Sequence, residues 1–335
     1  MVNDLNVQQS SPANDRTEPS LTPIEELQKT SKQLLDNVSR VVLGKQDVTR
    51  LCVIALFAGE HILLEDVPGV GKTLMGKALA RSIDSDFCRI QFTPDLLPSD
   101  ILGSSVFNTK ESEFEFHPGP IFNNFVLADE INRAPPRTQS ALLEAMSESQ
   151  ISIDGRSYNL ARPFMVIATQ NPFEFEGTYQ LPESQMDRFL MRISMGYPDP
   201  SYEMQIFDNH RLGDPVDQLQ SICDRHRIME IHQYVHKITV DPAITEYMLN
   251  VIHKTRESPD LSIGVSTRGG LAWYRAVQAS SFIDGRDYAV PDDARDLAVA
   301  ILSHRIQPKG TIRVGQRNDV EAIVRDIISQ IPIPE

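Results

Sequence analysis

Two groups of side chains in this chain are of types and spacings that could do chemistry together. One is the run Asp66-Val67-Pro68-Gly69-Val70-Gly71-Lys72-Thr73, followed by Leu74; the other is the carboxylate pair Asp129-Glu130 closing the apolar run Phe125-Val126-Leu127-Ala128. Only glycine lets backbone N–H groups approach a phosphate with no side chain in the way, and a helix opening directly after the turn adds partial positive charge. Gly69 and Gly71 meet the first need, and a helix beginning near Gly71 meets the second. Lys72 is then placed to reach the β- and γ-phosphates of a nucleoside triphosphate, and the Thr73 hydroxyl to ligate Mg²⁺. Asp129 would hold that Mg²⁺ through water, and Glu130 would orient and deprotonate the attacking water. Alone, a Gly-Lys-Thr can be an ordinary turn and an Asp-Glu a solvated strand end; the pairing points to ATP hydrolysis. One departure stands out, because Asp66 occupies the position of the pattern's first glycine.

These groups need strands to aim them. Five short apolar runs read as buried parallel strands: Ile62 to Glu65, Arg89 to Phe92, Phe125 to Ala128, Phe164 to Ala168 and Met191 to Met195. Helical stretches separate them, as in a doubly wound α/β sheet. Before the first strand, apolar spacing predicts helices over Ile24 to Val42 and Gln46 to Gly59. After Pro198-Asp199-Pro200 no comparable apolar strand follows, and the pattern predicts helices at Tyr202 to His210, Ile228 to Tyr234, Asp241 to Arg256, Thr267 to Phe282 and Pro291 to His304. The expected organisation is a polar, disordered tail over 1–22, an α/β core over 23–198 and a small all-helical domain over 199–335.

Composition narrows the setting. With 335 residues, 41% of them hydrophobic, the chain can bury a sizeable core. A net charge of -14 argues against nucleic-acid binding through bulk electrostatics. Cys52, Cys88 and Cys223 are too few and too scattered for a disulfide framework, which fits a reducing, cytoplasmic compartment. The longest apolar stretch, Leu51 to Ala58, is far short of the roughly 20 residues a membrane helix needs. His232 and His236, four apart on a helix, have no third metal ligand nearby and read as a solvated helix face.

On the stretches Leu63-Leu64-Glu65-Asp66-Val67-Pro68-Gly69-Val70-Gly71-Lys72-Thr73, Asp129-Glu130-Ile131-Asn132-Arg133-Ala134-Pro135-Pro136-Arg137-Thr138-Gln139 and Ala168-Thr169-Gln170-Asn171-Pro172, the chain resembles the MoxR family of AAA+ ATPases. The resemblance runs from about Leu34 to Arg325. It implies a P-loop NTPase fold, a three-layer αβα domain with a five-stranded parallel sheet and a small all-α lid. It also implies a homo-oligomeric ring, six subunits being usual for the family, that remodels protein partners, often ones bearing a von Willebrand factor A domain.

The remaining sites follow from that resemblance. Asn171 falls where the family places sensor 1, an amide that helps position the attacking water. Arg188, in Leu181-Pro182-Glu183-Ser184-Gln185-Met186-Asp187-Arg188-Phe189, falls in the arginine-finger region, with an ion pair to Asp187 or Glu183 as the plainer alternative. Arg268, in Gly264-Val265-Ser266-Thr267-Arg268-Gly269, falls at sensor 2, acting within the subunit or on its neighbour. Val42-Leu43-Gly44 matches the lining of the adenine pocket. Residues Asp100 to Pro120 and Gln150 to Tyr158 read as two inserted hairpins, the second turning at Asp154-Gly155; in relatives such hairpins point into the ring's pore. Arg133 and Arg137 receive no catalytic role. The competing readings are a nucleic-acid motor, a magnesium-chelatase-like subunit, and a nucleotide-gated scaffold with little turnover.

Overall fold

The computed structural model of the chain describes residues 22–172, 177–211, 213–309 and 317–334; the expected tail lies, but for its last residue, outside them. Two helices come first, α1 (Pro23–Ser39) and α2 (Gln46–Phe57). The α/β portion continues with β1 (Ile62–Glu65), α3 (Lys72–Ser82), β2 (Phe87–Gln91), α4 (Pro98–Leu102), β3 (Gly103–Asn108), β4 (Glu113–Pro118), β5 (Phe125–Asp129) and α5 (Pro136–Glu148). It closes with β6 (Gln150–Ile153), β7 (Arg156–Asn159), β8 (Met165–Gln170), α6 (Glu183–Met186) and β9 (Met191–Ile193). The helical part contains α7 (Pro200–His210), α8 (Arg225–Val235), α9 (Pro242–Glu257), β10 (Leu261–Ile263), α10 (Thr267–Ile283), α11 (Pro291–Leu302), β11 (Gln307–Pro308) and α12 (Arg317–Ser329).

The five expected strands form one parallel sheet in the order β2-β5-β8-β1-β9. Its residues alternate between faces as strand pleating requires. Ile62, Leu64, Leu127 and Ile167 enter one apolar core, while Leu63, Val126, Ala128, Val166 and Ala168 enter the other. With helices on both faces, the chain has the α/β, three-layer AAA+ architecture with a helical lid. Register fixes the working edge: Glu65 pairs with Gln170 and Gln91 with Asp129, so β1, β8, β2 and β5 finish level.

Several boundaries differ from the sequence expectation. The first helix stops at Ser39 rather than Val42, because the chain turns back through Gly44, whose φ is +69°. A side chain at Gly44 would strike the Tyr202 ring, so glycine is required there. The lid is helical with one addition: β10 and β11 pair antiparallel across a register shift. Pro136 starts α5, one of the helical stretches expected between strands, and α12, which buries Val324, Ile327 and Ile328, lies outside the expected set. Packing also crosses the expected domain boundary, since α2 lies against α8 and α10 and shares one apolar core with them.

Candidate active site

The level C-terminal edge of the sheet opens into a cavity of about 510 Å³. Pro68, Gly69, Val70, Gly71, Lys72, Thr73 and Leu74 form one wall, Asp129, Glu130 and Asn171 a second, and Val42 and Leu43 lie at the other end. Gly44 is not among the lining residues; it turns the chain beneath Tyr202. The cavity has further walls that the motifs did not indicate. These are Val41, Lys45, Lys77, Arg89, Pro198, Ile206, Asn209, Asp214 and Pro215. Ile206, Asn209, Asp214 and Pro215 come from the helical part, and no local pattern marks them.

The loop itself explains Asp66. Gly71 holds φ +97° as the N-cap of α3, so the backbone N–H groups of the first turn face the cavity. Asp66 is buried, and its carboxylate accepts hydrogen bonds from the backbone N–H groups of Met195 and Gly196, both at 2.6 Å, from Ser194 Oγ at 3.0 Å and from Val67 N at 3.0 Å. A glycine could not tie the loop entrance to the segment leaving β9 in this way. Lys72 Nζ donates to the Asp66 carbonyl oxygen at 2.8 Å, which keeps the ammonium inside the loop.

The carboxylates are held by neighbours on adjacent strands. Thr169, buried on β8, donates from Oγ1 to Asp129 Oδ1 at 2.5 Å and accepts from Glu130 N at 2.9 Å. Arg89 on β2 grips Asp129 Oδ2 with two nitrogens, at 2.6 and 3.0 Å. Glu130 sits at φ +57°, an uncommon conformation for a side-chain-bearing residue, and its Oε2 receives Gln91 Nε2 at 2.8 Å and Arg133 Nε at 3.0 Å. Arg133 therefore acts on the pocket through Glu130, whereas Arg137 is exposed at the start of α5. Thr73 and Asp129 offer oxygen donors to one space. That fits Mg²⁺, which prefers oxygen and keeps most of its waters.

Arg188 and Arg268 are elsewhere. Arg188 precedes β9 at the opposite edge of the sheet, where Leu190 N donates to His61 O at 2.8 Å and Met191 pairs with Ile62. The length of β1, roughly 10 Å at the usual rise per residue, separates that edge from the phosphate loop. Neither arginine lines the cavity. Instead both reach Ser147 on α5: Arg188 Nη1 donates to Ser147 Oγ at 2.8 Å and to the Leu143 carbonyl, and Arg268 Nη2 meets the same Oγ at 3.4 Å. The plainer ion pairs considered for Arg188 do not form. Asp187 pairs with Arg305 and Glu183 accepts from Gln307.

With this geometry in view, comparisons with known proteins identify the lineage. Residues 61–191 match the family model of ATPases associated with various cellular activities, and residues 253–327 match an AAA lid domain. The chain is 46% identical to the uncharacterised protein YeaC of Bacillus subtilis over 92% of its own length and 97% of that protein. It is 38% identical to the chaperone MoxR1 of Mycobacterium tuberculosis, covering 83% of this chain and 75% of MoxR1. The chain belongs to the MoxR family of AAA+ ATPases. A crystal structure assigned as an ATPase from Cytophaga hutchinsonii superposes with a TM-score of 0.84 at 37% identity, over 93% of this chain and 97% of that one.

The two hairpins expected of a MoxR-family chain are present as β3–β4 and β6–β7. Asp154 and Gly155 both take positive φ, +51° and +74°, at the second turn. They brace each other, since Ser105 Oγ donates to Asp154 at 2.6 Å and Phe116 stacks on Tyr158 with ring centroids 4.2 Å apart. Phe107 and Phe114 remain exposed beyond that contact. His232 corrects the solvated-face expectation. It is half-buried, with Nε2 2.7 Å from the Leu56 carbonyl, because α8 packs on α2. Among the described residues no group of three or more His, Cys, Asp or Glu side chains could hold a metal, and no helix is long and apolar enough to cross a membrane.

Proposed function

We propose that this MoxR-family ATPase hydrolyses ATP to ADP and phosphate at sites shared between neighbouring subunits of a homo-oligomeric ring, six by family expectation. In this reading 23–198 is the ATPase core and 199–335 the lid. The N–H groups of the loop from Pro68 to Leu74 and Lys72 bind the phosphates, and Val42, Leu43 and the lid residues around Ile206 receive the base. Thr73 and Asp129 would hold Mg²⁺, which when bound neutralises charge on the β- and γ-oxygens. Glu130 takes the proton of the attacking water once its Oε2 turns from Gln91 and Arg133, with Asn171 positioning that water.

One observation carries the shared-site reading: Arg188 and Arg268 converge on Ser147, at the edge of the sheet opposite the loop. A guanidinium there cannot meet its own γ-phosphate without crossing the sheet. It can meet a neighbour's, as an arginine finger supplied in trans. Mixing is the test. Arg188→Ala and Glu130→Gln subunits, each inactive alone, should regain turnover together, because an intact pocket then faces intact arginines. No recovery at any ratio would sink the shared site.

Hydrolysis would be coupled to remodelling of a protein partner. The chaperone name of the Mycobacterium relative and the exposed Phe107 and Phe114 on the first hairpin support that reading. A von Willebrand factor A domain protein is the partner we propose. The three free cysteines favour a cytoplasmic setting. Capture on a Glu130→Gln trap, followed by identification of the bound chain, tests the partner class; recovery of nucleic acid instead would favour the motor reading.

A further inference from the structure

The two arginines at the edge remote from the pocket are not independent. Arg305, buried in the turn after α11, donates from Nε to Asp187 Oδ1 at 2.8 Å, and its Nη atoms donate to the carbonyls of Leu190 at 2.9 Å, Phe189 at 2.6 Å and Ile301. It thereby holds the chain on both sides of Arg188. The other oxygen of Asp187 accepts from Ser266 Oγ at 3.1 Å, and Ser266 caps α10 by accepting from Gly269 N at 2.9 Å. Arg268 lies in that first turn. One guanidinium and one carboxylate thus join the segment carrying Arg188 to the helix carrying Arg268. A glycine makes the approach possible, because a Cβ at Gly269 would lie 2.7 Å from Arg305 Cδ and 3.0 Å from its Nε.

We propose that Arg305, acting through Asp187 and Ser266, is a positioning residue that presents Arg188 and Arg268 as one preset pair to the neighbouring subunit's nucleotide. The inference rests on the shared-site reading. Its physical basis is that an arginine finger acts only at the right distance, and displacement of about 1 Å can cost on the order of 100-fold in rate. Arg188 has a long side chain on a short segment between α6 and β9. Three acceptors on that segment, Asp187 Oδ1 and the Phe189 and Leu190 carbonyls, bind the buried guanidinium and fix the segment far better than its own helix of four residues could. Placing the same carboxylate on the cap of α10 means that a shift of the lid moves both arginines together.

The test uses the full chain with Asp187→Asn, Ser266→Ala and Gly269→Ala, the last displacing Arg305 without removing any of its partners. Each should assemble, bind a non-hydrolysable ATP analogue like wild type, and lose turnover, roughly 10- to 100-fold for Asp187→Asn and less for the others. Mixed with Glu130→Gln subunits, which supply intact arginines, each should recover. Added to an Arg188→Ala, Arg268→Ala background, Asp187→Asn should cost little more, because it acts through groups already gone. Wild-type turnover in Ser266→Ala and Gly269→Ala overturns the proposal even if Asp187→Asn fails to fold, and so does an additive loss in the arginine-free background. If Arg188→Ala itself is not rescued by Glu130→Gln, the shared site fails first; if it is rescued and the Asp187, Ser266 and Gly269 variants are not, only the positioning role fails.

Discussion

The two edges of the parallel sheet are built on different principles. At the C-terminal edge, loops follow β1, β5 and β8, and the groups facing the cavity include backbone N–H donors, Lys72 and the carboxylates of Asp129 and Glu130, the latter two held by partners on adjacent strands. At the N-terminal edge, around Leu190 and His61, Arg188, Arg268 and Arg305 gather with the carboxylate of Asp187, and the bonds that hold them run between the sheet, α5 and the lid. On the reading proposed above, the first edge binds a nucleotide within one subunit. The second is assembled from distant parts of the chain and carries charge that its own pocket cannot use. If the shared-site reading holds, a loop site complete in a monomer is still inactive there.

Variants that separate the edges should separate binding from turnover. The largest effect is expected for Arg188→Ala, a drop of about 1,000-fold or more in kcat with nucleotide affinity retained, if Arg188 serves as an arginine finger. Next is Glu130→Gln, expected to lose about 100- to 10,000-fold with affinity retained. The decisive quantity is the dissociation constant of a fluorescent ATP analogue for dilute subunits. Should Arg188→Ala weaken it as Lys72→Ala is expected to, the two edges are not independent and the comparison breaks.

The difference between the edges also governs what could be read without a structure. The Gly-rich loop, Asp129 and Glu130 each close or follow a strand, so local pattern alone predicts them and the parallel sheet that aligns them, whereas Asn171 is named by resemblance. Thr169 and Arg89 escape notice because their importance comes from strand order: β2 beside β5 beside β8 is a property of the whole sheet. Arg188 and Arg268 could be named by resemblance, but their meeting at Ser147 joins α5, β9 and α10, segments far apart in the chain. Arg305 has no local signature at all, since a buried arginine after a helix looks like any last-turn cation. Asp66 was visible only as an irregularity, and its four hydrogen-bond donors lie partly at the far end of β9.

That irregularity gives a sharper test of the pocket edge. Restoring the usual glycine with Asp66→Gly should destabilise the protein by about 2–3 kcal/mol, because buried N–H groups lose a charged acceptor. In urea the midpoint should fall with the slope unchanged. A variant as stable as wild type would mean that the Asp66 contacts contribute nothing, and that the loop entrance is held by the surrounding backbone alone.

The smallest effect concerns protons and falls on the arginine edge. His61 and His304 are buried there, with ring nitrogens 3.1 Å from the Met146 carbonyl and 3.0 Å from the Phe189 carbonyl. Burial pushes both pKa values down, well below the ordinary range for His304, where Arg305 and Arg192 add to the effect. At His61 burial outweighs the opposing influence of Glu60, and Arg268 again lowers the value. A histidine with a lowered folded-state pKa binds its proton more readily when unfolded. Its neutral form therefore costs no stability above the unfolded value near 6.5, and stability is lost as pH falls below it, by up to about 1.4 kcal/mol per pH unit for each such group. Thermal unfolding midpoints should be level with respect to these groups above about pH 7 and should fall toward pH 5. His304→Gln should make that fall shallower, whatever it does to the midpoint at neutral pH. An equally steep fall in His304→Gln would place the proton sensitivity at groups other than His304, His61 among them.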